Sequence, residues 1–373
     1  MVEGRPVKIA LIVPGFSSHE RDWCIPFLLD HVRMLAQWAE VHVFTLRWPE
    51  RGGTYPVFGA TVHALDGRKS MGVRVVSLWA RVVRAIAAEH RRAPFDVLHA
   101  VFADEPGWVG AWAARWLRVP LILSPMGGEF IGLPDIGYGF QLLRGRATLT
   151  RWAARQAACV TAGSNYQGQL IRAAIHPRKM IRAPFGVDTN VFKTCQVSRE
   201  ANLAGLDPLR VLNVASLTPV KNHALLLRAL ARVPGACLQL AGSGPLESEL
   251  RALTTQLHIA DRVEFLGNVN HEALPAVYQH ADVFVQTSRH EAQGLAVLEA
   301  AACSLPAVGT PVGVLPEMGW AAHAEAGLVQ RLTELRDDAP QRQTLGQRAH
   351  QHVQTEFTLD VTSGRWRELY LSL

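Results

Sequence analysis

Short β-branched runs alternate with longer helical stretches through the first half of this sequence, and the same alternation starts again at residue 210. In the first half KIALIVPGF (8–16), VHVFTL (41–46), FDVLHAVF (95–102), PLILSP (120–125) and ACVTAGS (158–164) read as buried parallel strands, because a strand covered on both faces needs a near-continuous apolar run. Trp79–His90 and Pro106–Leu117 carry apolar residues at helical spacing and read as connections between those strands. The second half repeats the scheme with RVLNVASL, CLQLAGSG, RVEFLGNV, DVFVQTS and LPAVGTP as strands, and Ala224–Arg232, Leu246–Leu257, Leu274–His280 and Gly294–Cys303 as helices. Strand–helix alternation run twice predicts an α/β chain of two doubly wound, Rossmann-like domains. A length of 373 residues, more than one hydrophobic core usually serves, agrees. The polar, weakly periodic stretch Gly186–Asp207 is the predicted linker, which puts the domains at 1–190 and 191–356. The final segment, Phe357–Leu373, has Trp366, Leu369 and Tyr370 at helical spacing and is expected to cross back onto the first domain.

Composition excludes several classes. Hydrophobic residues at 49% and charged residues at 19% describe a globular chain, neither disordered nor fibrous. The apolar run Ile9–Val13 ends at Pro14-Gly15 and suits a first buried strand better than a signal peptide, and Arg81 and Arg84 interrupt the best candidate membrane span at Val73–Ala88. A cytoplasmic protein is expected. Five cysteines, Cys24, Cys159, Cys195, Cys237 and Cys303, stand far apart without C-x-x-C spacing, so buried free thiols are expected and neither disulfides nor a cysteine zinc site. The net charge of +6 is unevenly spread: 24 Lys+Arg against 14 Asp+Glu through Cys195, then 14 against 18 beyond it. The basic half is expected to meet something anionic, a phospholipid surface at the inner membrane face or a phosphorylated acceptor. Arg68, Lys69, Arg74, Arg81, Arg84, Arg91 and Arg92 interleave with Val73, Val76, Leu78, Trp79 and Val83, as in a helix lying on anionic lipid; a Rossmann helix with one solvated basic face gives the same pattern. No zinc-finger spacing, aromatic RNA-binding signature or basic low-complexity tail points to nucleic acid.

The chemistry is concentrated in TSRHEAQGLAVLEAAACSLPAVGTPVGVLPE, residues 287–317. Glu291 follows a strand end, Gly294 opens a helix and Glu299 lies in its first turns. A helix amino terminus offers unpaired N–H groups and partial positive charge, a seat for a diphosphate. Two carboxylates eight residues apart can flank it and accept hydrogen bonds from sugar and ribose hydroxyls. Gly15, closing the first strand, lets a backbone come close to a donor phosphate or an acceptor, and reads equally as an ordinary strand-ending turn.

The spacing Glu291-x7-Glu299, followed by Pro306, Gly309-Thr310, Val312-Gly313 and Pro316-Glu317, resembles the E-x7-E region of family 4 retaining glycosyltransferases. VLNVASLTPVKNHALLLRALA, LQLAGSGPLESEL, RVEFLGNVNHEALPAVYQHADVFVQTS, and upstream PFGVDTNVF and DVLHAVFAD with PLILSPMGGE, follow in the family's order and extend the resemblance over most of the chain. The resemblance implies the GT-B fold, two Rossmann-like domains facing across a cleft, with a donor domain in the carboxyl half and an acceptor domain in the amino half. It implies a nucleoside diphosphate sugar as substrate, transfer of a hexose-type sugar with retention, and no cofactor or metal. Glu291 would hold the sugar's hydroxyls, Glu299 the ribose, Lys221 the phosphates, and the N–H groups of Gly294, Leu295 and Ala296 the distal phosphate. Backbone near Asn268, in Gly267-Asn268-Val269, would meet the base. Glu317 reads equally as a helix cap.

The sequence departs from the family in three places. Ser216 stands where an arginine usually precedes the lysine, and Arg182 is a substitute by position only. Met126 stands where many relatives have histidine, so in Met126-Gly127-Gly128-Glu129 a hydrogen bond to sugar would have to come from Glu129 or from the glycine backbone, with His99 and His19 as weaker candidates. The stretch after Glu317 is abbreviated. These losses also fit a weakened homologue that binds a nucleotide sugar or serves as a scaffold. Another two-Rossmann enzyme, such as an epimerase, is the alternative among enzymes; a pyridoxal phosphate phosphorylase is disfavoured by a chain with only Lys8, Lys69, Lys179, Lys193 and Lys221.

Overall fold

The computed structural model describes residues 5–50, 52–72, 74–194, 208–318 and 320–373. Val73, Cys195 and the linker residues from 196 to Asp207 lie outside them. Two compact units are present, Met1–Gly186 with Leu359–Leu373, and Val187–Thr358.

The first unit opens with β1 (Val7–Gly15), α1 (Pro26–Leu35) and β2 (Ala39–Trp48), continues through a hairpin, β3 (Gly52–Val57) and β4 (Ala60–Leu65), and then α2 (Arg74–Arg92). β5 (Val97–Val101), α3 (Glu105–Leu117), β6 (Leu121–Ser124), α4 (Arg144–Gln156), β7 (Cys159–Ala162), α5 (Asn165–Ala174) and β8 (Met180–Arg182) follow. The sheet order is β3-β4-β2-β1-β5-β6-β7-β8, parallel throughout except for β3 against β4. Ile9 to Val13 are fully buried, which is why β1 reads as an unbroken apolar run at the centre of the sheet. On α2 the stripe Leu78, Val82 and Ile86 is buried at four-residue spacing, while Arg74, Arg81, Arg84, Arg91 and Arg92 are exposed.

The second unit contains β9 (Leu209–Val214), α6 (His223–Ala231), β10 (Ala236–Ala241), α7 (Glu247–Gln256), β11 (Val263–Gly267), α8 (Leu274–His280), β12 (Val283–Gln286), α9 (Leu295–Ala302), β13 (Ala307–Gly309), α10 (Glu325–Asp337) and α11 (Ala339–Glu356). Its all-parallel sheet runs β11-β10-β9-β12-β13, with the order reversing beside β9. The two faces carry separate cores, one around Leu226, Leu230, Leu332 and Leu335 and the other around Phe284, Leu298, Val353 and Phe357. Beyond β13 the abbreviated stretch adds a single parallel bridge, Gly309 to Ala321. Among the described residues no helix is long and apolar enough to cross a membrane.

The last helix, α12 (Leu359–Leu371), packs on α1 in the first unit. Its Trp366 and Tyr370 are buried there. The Tyr370 hydroxyl lies 3.3 Å from His31 Nε2 and 2.5 Å from His99 Nδ1; His99 Nε2 is 2.7 Å from Ser124 Oγ, and Ser124 Oγ is 2.6 Å from Thr161 Oγ1. His99, a weak site candidate by sequence, is thus a core residue with both ring nitrogens engaged. Burial pushes the His31 imidazole down to about 3 and holds His99 well below its ordinary value. Between about pH 6.5 and those folded values the unfolded chain binds more protons, so stability falls as pH drops through that window, by about 1 kcal/mol per pH unit for each histidine. Urea midpoints at pH 7.5 and pH 5 should therefore differ in favour of the higher pH, and His31→Gln should shrink that difference; equal midpoints would show that the two rings are solvated.

Candidate functional site

The strand ends of the second unit bring the motif residues together. After β9 the chain turns through Ala215–Thr218 against the loop after β10, where Leu217 N–H donates to Ser243 O (2.9 Å) and Leu246 N–H donates to Leu217 O (3.1 Å). This approach requires glycine: Gly242 has φ +138°, and a Cβ there would sit 2.1 Å from Ala215 O. Ser243 Oγ then donates to Asn268 Oδ1 (2.8 Å), linking the turns after β9, β10 and β11. Asn268 and Ser216 are both exposed, and Ser216 Oγ lies 3.4 Å from Thr218 Oγ1.

The loop after β12 folds back on the turn Pro219–Lys221. Arg289 N–H donates to Val220 O (2.8 Å) and Thr287 Oγ1 to Lys221 O (3.1 Å). With both backbones fixed, Lys221 Nζ donates to Glu291 Oε1 at 2.5 Å, and Ser288 Oγ donates to the same oxygen at 2.6 Å. The Lys221 and Glu291 side chains are 23% and 16% exposed, so the pair is reachable yet poorly screened. The start of α6 is fixed from below by His223, whose Nε2 lies 3.0 Å from Asn213 Oδ1; burial first, then the Lys221 charge, pushes its imidazole down to about 4, so it is neutral at pH 7.

Three residues beyond Glu291, Gly294 caps α9 in the left-handed region (φ +89°), where any side chain would be strained. No side chain caps this helix, so its first-turn N–H groups, including those of Leu295 and Ala296, are not spent on a side-chain cap. One turn on, Glu299 Oε2 accepts a hydrogen bond from Tyr278 OH (2.7 Å). Tyr278 is fully buried, and burial followed by the Glu299 charge raises its hydroxyl well above the ordinary value, so it stays a donor.

The sequence-predicted residues of the first unit are arranged differently. Gly15 faces Trp48, whose Cβ would be 2.9 Å from an added Cβ, which is the packing reading of that glycine. Glu129 is 2% exposed and corrects the expectation that it could bond a sugar: its carboxylate accepts from the backbone N–H groups of Ala103 (2.9 Å), Met126 (3.1 Å) and Gly127 (2.6 Å). It shapes the Met126–Glu129 loop from inside. Gly128 lies against Tyr138, which an added Cβ would meet at 2.8 Å. His19 is exposed and accepts from Arg21 N–H, and Arg182 sits on β8, so both belong to the first unit. Glu317 lies in the short turn Leu315–Met318.

Thr310, named in the sequence as part of the motif, donates its hydroxyl to Ser288 O, whereas sequence reasoning missed Tyr278, Ser288 and Ser243. Each is a small or aromatic hydroxyl at a strand end or on a helix, with no spacing to mark it; only Ser288, three residues before Glu291, carried a local signal.

Comparison with known proteins meets this geometry from outside. The family described as "Glycosyl transferases group 1" matches residues 196–352, and "Glycosyltransferase Family 4" matches residues 27–191. N-acetyl-alpha-D-glucosaminyl L-malate synthase of Bacillus anthracis is 26% identical over 301 residues, 75% of each chain. Curated relatives are spanned to very different extents, from 31% to 75% of their own length, and the first of them to 36%. Among solved structures, sucrose-phosphate synthase from Thermosynechococcus elongatus aligns with TM-score 0.82 at 21% identity, covering 98% of both chains. HepE of Anabaena, solved in complex with UDP and glucose, aligns with TM-score 0.76 at 21% identity over 98% of this chain and 100% of its own. These structures share the fold, and the two family matches together take in 322 of the 373 residues: the chain belongs to the group 1, family 4 glycosyltransferases, with the two Rossmann-like domains of the GT-B type.

Proposed function

We propose that this chain transfers a hexose-type sugar from a nucleoside diphosphate sugar to an acceptor hydroxyl, with retention of configuration and without a metal ion. The observation that carries the reading is the Lys221–Glu291 pair, 2.5 Å apart and set beside a helix start that no side chain caps. A diphosphate seated against the first turn of α9 would meet N–H groups on one side and the Lys221 ammonium on the other. As the bond to the sugar breaks, negative charge grows on the leaving phosphate, and fixed donors aimed at that charge lower the barrier. Lys221 would then exchange its carboxylate partner for phosphate, which frees Glu291 Oε1 to accept from a sugar hydroxyl. Glu299, held by Tyr278, would accept from the ribose. The relative solved with UDP and glucose supports a nucleotide donor, and two cationic contributions, helix end and lysine, serve the purpose that a divalent ion serves elsewhere.

Calorimetric titration with a panel of nucleoside diphosphates tests the reading. One member should bind, and Glu299→Ala should weaken it by about tenfold or more, because a charged hydrogen-bond acceptor is lost. Tyr278→Phe should have a smaller effect in the same direction. No binding by any member would defeat the proposal, while binding without turnover of the cognate sugar nucleotide would identify a scaffold rather than an enzyme.

Peripheral membrane contact belongs to the same proposal. The exposed arginines of α2 stand on the first unit, as do Trp112 (40% exposed) and Trp116 (59% exposed) of α3, and Trp79 of α2 packs edge-on against Trp112. Sedimentation with vesicles containing anionic lipid should be strong at low salt, fade as salt rises and fall with Arg81→Glu plus Arg84→Glu. Equal sedimentation with neutral vesicles would reject this contact.

A further inference from the structure

We propose that His42, His63 and Glu89 of the first unit form a divalent-metal site, best suited to zinc, made of residues that the transfer reading does not use. Their ligand atoms all lie within 4.8 Å of one another, and no other such trio converges among the described residues. The topology produces the cluster. β2 and β4 are parallel neighbours with Phe44 opposite His63, and His42, two residues before Phe44, faces the same side. Glu89 arrives from the last turns of α2, which packs on β2 and β4.

The hydrogen-bond pattern points both imidazoles at a common spot. His42 Nε2 is 2.9 Å from Glu40 Oε1, and a carboxylate there keeps the ring proton on Nε2, so Nδ1 presents its lone pair inward. His63 Nε2 lies 3.0 Å from that Nδ1, and His63 Nδ1 lies 3.4 Å from Thr54 Oγ1. The two rings are within 10° of parallel, and Phe44 stacks on His63 with centroids 4.6 Å apart, which holds the ring plane.

Without metal, one hydrogen is shared between the two inward nitrogens. A metal ion takes its place if His63 moves its proton from Nε2 to Nδ1, where Thr54 Oγ1 accepts it. Two lone pairs and one carboxylate then meet the ion. Zinc–nitrogen bonds of about 2.0–2.1 Å in tetrahedral geometry need the nitrogens only a few tenths of an ångström further apart than they are. Two imidazoles and a carboxylate are a zinc-type donor set, leaving one position for water or another ligand. The Glu40–His42 contact is the outer-shell carboxylate that such histidines usually carry. Two cations stand near the cluster, each held by a carboxylate: Lys8 by Glu40 (2.8 Å) and Arg92, 75% exposed, by Glu89 (2.6 Å), which it must release to the ion.

The full chain, stripped with chelator, should bind one equivalent of Zn2+ by calorimetry and one of Co2+ with the visible absorption of a four-coordinate ion lacking thiolate ligands. His63→Gln and Glu89→Gln should each weaken binding at least tenfold, and Glu40→Gln, which touches no metal, by about 10–100-fold. His19→Gln, at an exposed histidine of the same unit, should leave it unchanged, and circular dichroism establishes that each variant is folded. Since Glu89 is half-buried in the last turns of a helix rather than in the sheet, its variant carries the test if His63→Gln does not fold. Sub-stoichiometric binding, a thiolate spectrum, or affinity unmoved by Glu89→Gln would overturn the site.

Discussion

Lys221→Ala lowers the rate of sugar transfer at saturating donor by about 10²–10³-fold, the typical cost of removing one preorganised charge-stabilising donor. The expectation follows from what surrounds the lysine. Val220 O and Lys221 O are tied to the 287–291 loop, so Nζ is delivered to one place, 2.5 Å from Glu291 Oε1. Ser216 occupies the place at which the family resemblance implies an arginine, and in the proposed reading more of the phosphate charge would then fall on Lys221 unless an arginine from elsewhere supplies it. Removing Nζ also leaves the partly buried Glu291 without its cationic partner, with only Ser288 Oγ still donating to it, so donor affinity should fall together with rate. Lys221→Arg should recover only part of the loss, because a planar fork does not reproduce a compact ammonium. Release of nucleoside diphosphate, followed at several donor concentrations, separates the two effects. A rate within threefold of the parent at saturation would remove Lys221 from the mechanism.

The second large effect concerns stability. Trp366→Ala should destabilise the first unit by about 3–5 kcal/mol, as truncation of large buried aromatics does. Trp366 is 1% exposed, stacks on His99 (5.1 Å between centroids), lies 5.2 Å from Phe185, and donates from Nε1 to Pro184 O at 3.0 Å. Its loss opens a cavity and leaves a buried carbonyl without its donor. A fall in Tm on the order of 10 °C is expected, with Trp366→Phe falling between. A shift under about 3 °C would mean that α12 contributes little to the fold.

Much of this architecture was legible because parallel strands buried on both faces write themselves as unbroken apolar runs. KIALIVPGF, FDVLHAVF and DVFVQTS each contain an observed strand, and α8 has the ends that periodicity assigned it. The β3–β4 hairpin was not legible. Its turn is Phe58-Gly59, both at positive φ (46° and 81°), and a phenylalanine in that position gives none of the Asn-Gly or Asp-Gly signal that marks such turns. β8 is three half-buried residues long, too short for any period. In the second unit the motif spacing carried Glu291, Gly294, Glu299 and Lys221 to neighbouring strand and helix ends, but it could not show that Lys221 and Glu291, 70 residues apart in sequence, hold each other, since that contact depends on one backbone bond and one side-chain bond between their loops. Glu129 was misread for a related reason. An acidic residue after two glycines looks like a solvent-facing ligand, and only the fold reveals three amide groups turned inward to meet it.

The path of the chain imposes an order on its assembly. Residues 187–358 form one self-contained body, whereas the helix that seals the earlier body is translated only after all of them. Nascent chains should therefore acquire a protease-resistant second body while the first still presents the apolar grooves that Trp366 and Tyr370 will fill. During that interval the amino-terminal half leaves apolar surface uncovered, as a domain finished in one pass would not.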